Sequence, residues 1–168
     1  MSSIPQPTAA LTLEDIRTLL HTVADPEIPV LSIMDLGIVR DVKIEADGVE
    51  VHVSPTYTGC PATEVIEQMI VSTLERNGVE RVTVKRVLSP PWTTEWLSET
   101  GRQKLRRYGI APPERGAGKR SLLGQSTVHC PRCATERTTR VSEFGSTPCK
   151  ASYKCGECLE PFEYFKCI

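Results

Sequence analysis

Asp25-Pro26-Glu27-Ile28-Pro29-Val30, running on through Leu31-Ser32-Ile33-Met34-Asp35-Leu36-Gly37-Ile38-Val39, is the stretch around which the chain is organised. Pro26 and Pro29 fix φ and lack a backbone donor, so neither fits inside a helix or a central strand. The stretch is therefore a shaped loop between elements. It carries three carboxylates, Asp25, Glu27 and Asp35, interleaved with Ile28, Val30, Leu31, Ile33 and Leu36. Apolar residues that dense in a loop imply that it is packed down. The acids then have two readings: a capped turn with solvated carboxylates, or a set of polar groups aimed at a site.

Working outward, residues 1–10 contain Pro5 and Pro7 and read as a loose arm. Thr12 is a helix cap, and Glu14 and Asp15 suit the positive end of the helix dipole. Leu13, Ile16, Leu19, Leu20 and Val23 recur at helical spacing, so that face packs inward until Asp25-Pro26 ends the helix. After the loop, Ile38 to Ile44 reads as a strand. Asp47-Gly48 is a two-residue hairpin signal, and Val49, Val51 and Val53 alternate with polar residues as a half-buried strand should.

Pro61 fits the first position of a helix over about 61–77, which Asn77-Gly78 stops. Val79 to Leu88 is a third strand, and a last helix opens at Thr94-Glu95 and ends near Tyr108. The order helix–strand–strand–helix–strand–helix predicts a small α+β sandwich over residues 11–108.

Residues 109–127 hold Gly109, Pro112, Pro113, Gly116, Gly118 and Gly124, the composition of a linker. It is also basic. Arg102, Lys104, Arg106, Arg107, Arg115, Lys119 and Arg120 are accompanied by a single acid, Glu114. Such a strip is a solvated face, or a docking surface for a partner or for the phosphates of a nucleotide or coenzyme A.

Residues 128–168 form a second unit. Cys130-Pro-Arg-Cys133 and Cys155-Gly-Glu-Cys158 are two C-x₂-C knuckles with 21 residues between them. Four thiolates so spaced predict a closed tetrahedral Zn²⁺ site, a four-cysteine zinc ribbon, with iron in the same sulfur geometry as the competitor. About forty residues bury little core, so the metal supplies the folding energy of this lobe. Strands are expected at Thr138–Val141 and from Ala151, with Phe162, Tyr164 and Phe165 closing the lobe. Cys149 and Cys167 are left over, either as bystanders or as a second thiol pair.

One further thiol carries chemistry. Cys60 sits just before a helix start, where unpaired N–H groups and the dipole favour a thiolate and hence a soft-metal ligand or a nucleophile. Thr58 and Gly59 set its turn. If the proline-rich loop folds back, Asp25, Glu27 and Asp35 lie beside it. A single thiolate holds no cluster alone, so the expectation is a transient Fe–S cluster or iron site, or one shared in a homodimer. The competing reading is a cysteine buried as a small apolar residue.

The totals bound the function. The chain has 168 residues, 39% of them hydrophobic, and a formal charge of −1. Residues 1–91 hold 7 Lys+Arg against 13 Asp+Glu, a balance of −6, and residues 92–168 hold 13 against 8, a balance of +5. Faces of opposite sign suggest protein docking. With no aromatic–basic platform and an acidic first half, nucleic acid is not an expected partner. No apolar run is long enough for a bilayer, and no signal segment opens the chain. Seven cysteines then indicate metal or thiol chemistry in the cytoplasm rather than disulfides. No catalytic triad, P-loop or dinucleotide fingerprint is present.

Asp25-Pro-Glu-Ile-Pro, Asp35-Leu-Gly and Cys60-Pro61 together resemble the motifs of the small metal–sulfur cluster assembly domain that includes the SUF accessory protein T, over roughly residues 12–107. Other matches are Trp92-Thr-Thr-Glu-Trp96, His129-Cys-Pro-Arg-Cys133, Phe144-Gly-Ser-Thr-Pro-Cys149-Lys150 and the ending Glu160 to Ile168. With these the whole chain is similar to the D-subunit family of the phenylacetyl-CoA epoxidase system. That resemblance implies an accessory role in aerobic phenylacetate degradation, with Cys60 as the motif cysteine. The implied role is help in assembling or inserting the Fe–S cluster of the reductase subunit or the diiron centre of the oxygenase. The implied partners are those subunits and the Fe–S assembly machinery. The alternative within the same family is a non-catalytic binding subunit of the oxygenase complex.

Overall fold

The computed structural model describes residues 11–57, 59–116 and 127–166. Thr58, Lys119, Arg120 and Cys167, and the arm over residues 1–10, lie outside the described residues.

Helix α1 (Leu13–Leu20) begins at Thr12, whose hydroxyl accepts from the Asp15 N–H while the Asp15 carboxylate accepts from Thr12, a reciprocal capping box. Its Ile16 and Leu20 are buried. Strands β1 (Val39–Glu45) and β2 (Gly48–Val53) are antiparallel, and β3 (Val82–Arg86) joins β2 in parallel after helix α2 (Ala62–Arg76) crosses over. Val49, Val51 and Val53 turn into the core against Ile66, Ile70 and Leu74 of α2. The predicted helix–strand–strand–helix–strand–helix order is the order observed.

Three local differences have physical causes. The hairpin loop is Ala46-Asp47, because Glu45 already pairs with Gly48. Gly48 is needed for a different reason: a Cβ there would overlap the backbone of Arg81, whose carbonyl accepts from the Val49 N–H at 2.8 Å. The helix expected to open at Thr94 is two pieces. A 3₁₀ turn, Thr94–Trp96, ends at the extended Leu97, and Ser98 caps a new helix α3 (Glu99–Tyr108) by accepting from Gly101 N–H at 2.9 Å. Ile110–Ala111, within the stretch expected to link the units, forms a strand β4.

β4 pairs parallel with β7 (Pro161–Phe165), which pairs with β6 (Lys150–Cys155), which pairs with β5 (Thr138–Ser142). The ribbon lobe is thus tied to the first lobe through its own sheet. Phe165 and Cys149 belong to the same apolar cluster as α1, α2 and β2, and Trp92 meets Phe165 edge-on at 6.0 Å between ring centroids. A second, small core holds Ala111, Val128, Cys130, Cys155, Phe162 and Tyr164.

The organising loop is pinned at its far end by Asp35-Leu36-Gly37. The Leu36 carbonyl accepts from the Trp92 indole at 2.9 Å, and Gly37, at φ 67°, has no room for a Cβ against the Trp96 carbonyl. Left-handed φ costs a non-glycine residue about 1–3 kcal/mol, to which displacement of the Trp96 backbone adds. Gly37→Ala should therefore lower stability by more than about 2 kcal/mol in urea titration. An unchanged midpoint would mean that this contact is not a fixed feature of the fold.

Candidate functional site

The Asp25-Pro-Glu segment forms a closed turn. Asp25 Oδ1 accepts from the N–H groups of Glu27 and Ile28, both at 2.8 Å, as a short acidic side chain ahead of a proline turn does. Asp25 N–H donates to the Leu31 carbonyl at 2.8 Å, and Ala24 bridges Ser32. Asp25 is buried, and burial pushes its carboxyl above the usual range against those two backbone donors and the charge of Lys150.

Cys60 is half-buried beside this turn. Its carbonyl accepts from the Thr63 N–H at 3.2 Å, which seats it at the entrance of α2. Asp25, Ser54, Cys60, Thr63 and Ile66 line one small cavity of about 20 Å³, room for one water-sized guest. On its other side Cys60 borders an open groove lined also by Gly59, Pro61, Arg86 and Leu88. The sulfur therefore stands between a buried carboxylate and a way in from solvent.

The three predicted acids part company here. Asp25 shares the cavity with Cys60. Glu27 instead faces the ribbon lobe: Cys149 Sγ lies 3.5 Å from its Oε2, and the buried Lys150 reaches its carbonyl at 3.5 Å. Asp35 is not in the cavity lining. Its carboxylate accepts from Ser32 N–H at 3.1 Å, Ser98 Oγ at 3.2 Å and Lys104 Nζ at 2.6 Å, which ties the loop to α3. Burial pushes the Asp35 carboxyl up, but the Lys104 and Ser32 hydrogen bonds outweigh it and hold the group below its ordinary value.

A group with a depressed folded value stabilises most above its unfolded pKa and loses that contribution as pH falls. Relative to Asp35→Asn, the wild-type chain should be more stable above about pH 4, with the difference shrinking on acidification through the folded value. Urea titrations of both proteins across that range check it. A constant difference would mean that the Asp35 charge contributes nothing.

The basic strip also divides. Arg102 is corrected from a docking residue to a structural one: it is buried, and its guanidinium donates to the carbonyls of Pro113 and of Thr94, the latter at 2.7 Å. Lys104 is engaged with Asp35. Arg106, Arg107 and Arg115 are exposed.

In the ribbon, Cys130, Cys133, Cys155 and Cys158 place their sulfurs within 4.8 Å of one another, with Cys130–Cys158 at 3.8 Å and Cys133–Cys155 at 3.5 Å. Four sulfurs about 2.3 Å from a central Zn²⁺ in a tetrahedron stand about 3.8 Å apart, so the donor set fits the metal. Burial raises the Cys155 thiol, but the N–H groups of Cys158 and Glu157 aimed at its sulfur outweigh it and leave it lowered.

Tyr57 and Cys149 were not among the site residues expected from the sequence. The Tyr57 hydroxyl is buried, and burial and then Cys60 push it well above its ordinary value, with Glu27 and Cys149 adding to the shift. Cys149, read as a bystander or as half of a second thiol pair, has its thiol pushed up to about 11 by burial, against the Thr147 hydroxyl 3.0 Å away. Its closeness to Glu27 spans 122 positions of sequence, which no local pattern reveals.

Comparison with known proteins matches both lobes. Residues 13–87 match the family described as "Iron-sulfur cluster assembly protein", and residues 114–166 match "PaaD zinc beta ribbon domain". A protein of Escherichia coli (strain K12), named as the D subunit of a putative 1,2-phenylacetyl-CoA epoxidase, is 48% identical over 156 residues, covering 93% of each chain. A Porphyromonas gingivalis "Fe-S protein maturation auxiliary factor" is 38% identical over 96 residues, 56% of this chain and 90% of that one. The crystal structure of a domain of unknown function, DUF59, from Bacillus anthracis superposes with a TM-score of 0.52 at 28% identity, covering 55% of this chain and 89% of that one. Among the described residues no helix is long and apolar enough to cross a membrane.

Proposed function

This chain belongs to the family of phenylacetyl-CoA epoxidase D subunits, and from that premise we propose that it is an accessory protein that matures the epoxidase system. Its cargo is iron or an Fe–S cluster, taken up at Cys60 and delivered to the reductase or the oxygenase subunits. The observation that carries the reading is Cys60 itself, the motif cysteine of an assembly-family lobe, set between a cavity with the buried Asp25 and an open groove. A sulfur so placed can be reached by a donor from the groove, while the cavity behind it is too small to admit more than a water-sized guest.

Each part then has a task. Asp25 holds the loop that walls the site, and Gly59, at φ 83°, leads into Cys60. Asp35 acts at a distance by fastening the loop to α3. The ribbon holds zinc, or iron in the same sulfur cage, as a structural metal. Arg106, Arg107 and Arg115 offer a positive surface to an acidic client or to the Fe–S assembly machinery, and Lys119 and Arg120 add charge of the same sign to the sequence. The role is that of an accessory rather than an enzyme, and the expected setting is the cytoplasm.

A second reading is favoured by one feature. Val141, Phe144 and Leu159 of the ribbon lobe are 69%, 61% and 64% exposed, with Lys166 Nζ 4.4 Å from the Phe144 ring centroid, apolar side chains that a partner would cover. A standing subunit of the oxygenase complex would bury them without any cluster chemistry. Purification of the tagged chain co-expressed with the epoxidase subunits separates the two. The maturation reading predicts that the finished oxygenase purifies without it. Stable one-to-one recovery with active oxygenase favours the binding subunit.

A further inference from the structure

A lysine is seldom taken out of solvent unless its charge is paired. Lys150, the first residue of β6, is such a lysine, at 4% exposure. Its ammonium lies 3.2 Å from Glu163 Oε2 on β7, and it also crosses the seam between the lobes to the Glu27 carbonyl at 3.5 Å. Its backbone is fixed within the ribbon lobe. The Lys150 N–H donates to the Thr147 carbonyl at 3.1 Å, and its own carbonyl accepts from Gly145 N–H at 2.8 Å. The ion pair with Glu163 serves the ribbon, whereas the contact with Glu27 serves the other lobe.

What Lys150 touches there is the turn that walls the Cys60 cavity. The N–H groups of Glu27 and Ile28 donate to Asp25 Oδ1, and Asp25 lines that cavity with Cys60. Burial raises the carboxyls of Asp25 and Glu27, and the charge of Lys150 opposes the rise in both. The far end of β6 is Cys155, a member of the sulfur cage, about 17 Å along the strand at about 3.4 Å per residue. One strand therefore carries a metal-binding cysteine at one end and a contact with the Cys60 site at the other.

We propose that Lys150 is a positioning residue of the Cys60 site, holding the turn over residues 25–28 from the ribbon lobe so that the wall behind the sulfur keeps its form. The proposal rests on the reading of Cys60 as the residue that carries the cargo, and it gives the ribbon a share in that task. Lys150 acts through the Glu27 carbonyl and the charges of the turn, not on the sulfur itself. The ribbon's metal, by fixing β6, fixes where that ammonium stands.

Amide exchange of the zinc-loaded full chain, followed by NMR, tests this in Lys150→Met and in the double variant Lys150→Met/Glu163→Gln, which leaves neither charge of the pair behind. In both, the Glu27 and Ile28 amides are expected to exchange at least about tenfold faster, the effect of losing a hydrogen bond from a charged donor beside them. The α2 amides of Ile70 and Leu74 should keep their rates, and zinc should stay at one per chain. Iron and labile sulfide delivered to co-expressed epoxidase subunits, per zinc-loaded chain, should fall by about tenfold, as when a partner supporting a metal ligand is removed.

Exchange that rises equally at the turn and in α2, or loss of zinc from both variants, would overturn the proposal and make Lys150 a residue of the ribbon's own fold. Unchanged turn amides, or full delivery with the turn loosened, would overturn it as well. Each of these leaves the Cys60 reading standing, since that reading falls only if Cys60→Ser delivers as well as the wild-type chain.

Discussion

Serine in place of Cys60 is expected to remove the accessory activity while leaving the fold and the ribbon metal in place. The side chain is half-buried and borders an open groove, so exchange of sulfur for oxygen there disturbs little packing and should stay within about 1 kcal/mol of wild-type stability. A serine hydroxyl does not ionise near neutral pH and is a poor ligand for iron, whereas a thiolate is a strong one. Epoxidase subunits co-expressed with Cys60→Ser should therefore match those made without the chain, with a deficit in iron or labile sulfide of at least about tenfold if the cargo passes through this sulfur. Unchanged zinc content and circular dichroism of the variant keep the reading specific. Full maturation by Cys60→Ser would remove Cys60 from the mechanism.

Cys155→Ser is expected to unfold the ribbon lobe altogether. Cys155 is buried and belongs to both the sulfur cage and the small core formed with Val128, Phe162 and Tyr164. That core cannot hold forty residues unaided, and structural zinc contributes about 10–16 kcal/mol to lobes of this kind. The damage should reach further, because β7 carries Phe165 against Trp92 in the core of the first lobe. Removing a buried phenylalanine costs about 3–5 kcal/mol, so the first lobe should lose at least about that much. Loss of one zinc, loss of amide protection in β5 to β7 and a shift of Trp92 fluorescence to the red are the expected readouts. Chelation of the wild-type chain should reproduce them. A Cys155→Ser chain that keeps its ribbon amides protected would show that the lobe folds on apolar burial alone.

What the sequence disclosed depends on range. The cysteine knuckles are local spacings with one chemical use, and the alternation of Val49, Val51 and Val53 and the helical repeat of Ile16 and Leu20 report which face is buried. All of these stand in the structure. The break at Leu97-Ser98 was hidden because a helix period continues through it, and only the cap geometry of Ser98 reveals it. Arg102 looked like one more surface cation. Its burial depends on the chain folding back so that Pro113 and Thr94 present carbonyls to it. Asp35 shares its loop with Asp25 and Glu27 but points to α3, since Lys104 and Ser98 arrive from 69 and 63 positions away. Cys149 meets Glu27 only because the fold sets the two side by side. Tertiary partners, not residue type, decided each of these.

The central claim is that this chain delivers iron or an Fe–S cluster through Cys60 to the epoxidase system. The most direct measurement is the iron and labile sulfide in separately purified oxygenase and reductase subunits, co-expressed with the wild-type chain, with Cys60→Ser and with neither. Full metal content is expected only with the wild-type chain, and the subunit that is depleted in the other two samples is its client. Equal iron and sulfide in all three, whatever the epoxidase activity, would contradict the claim.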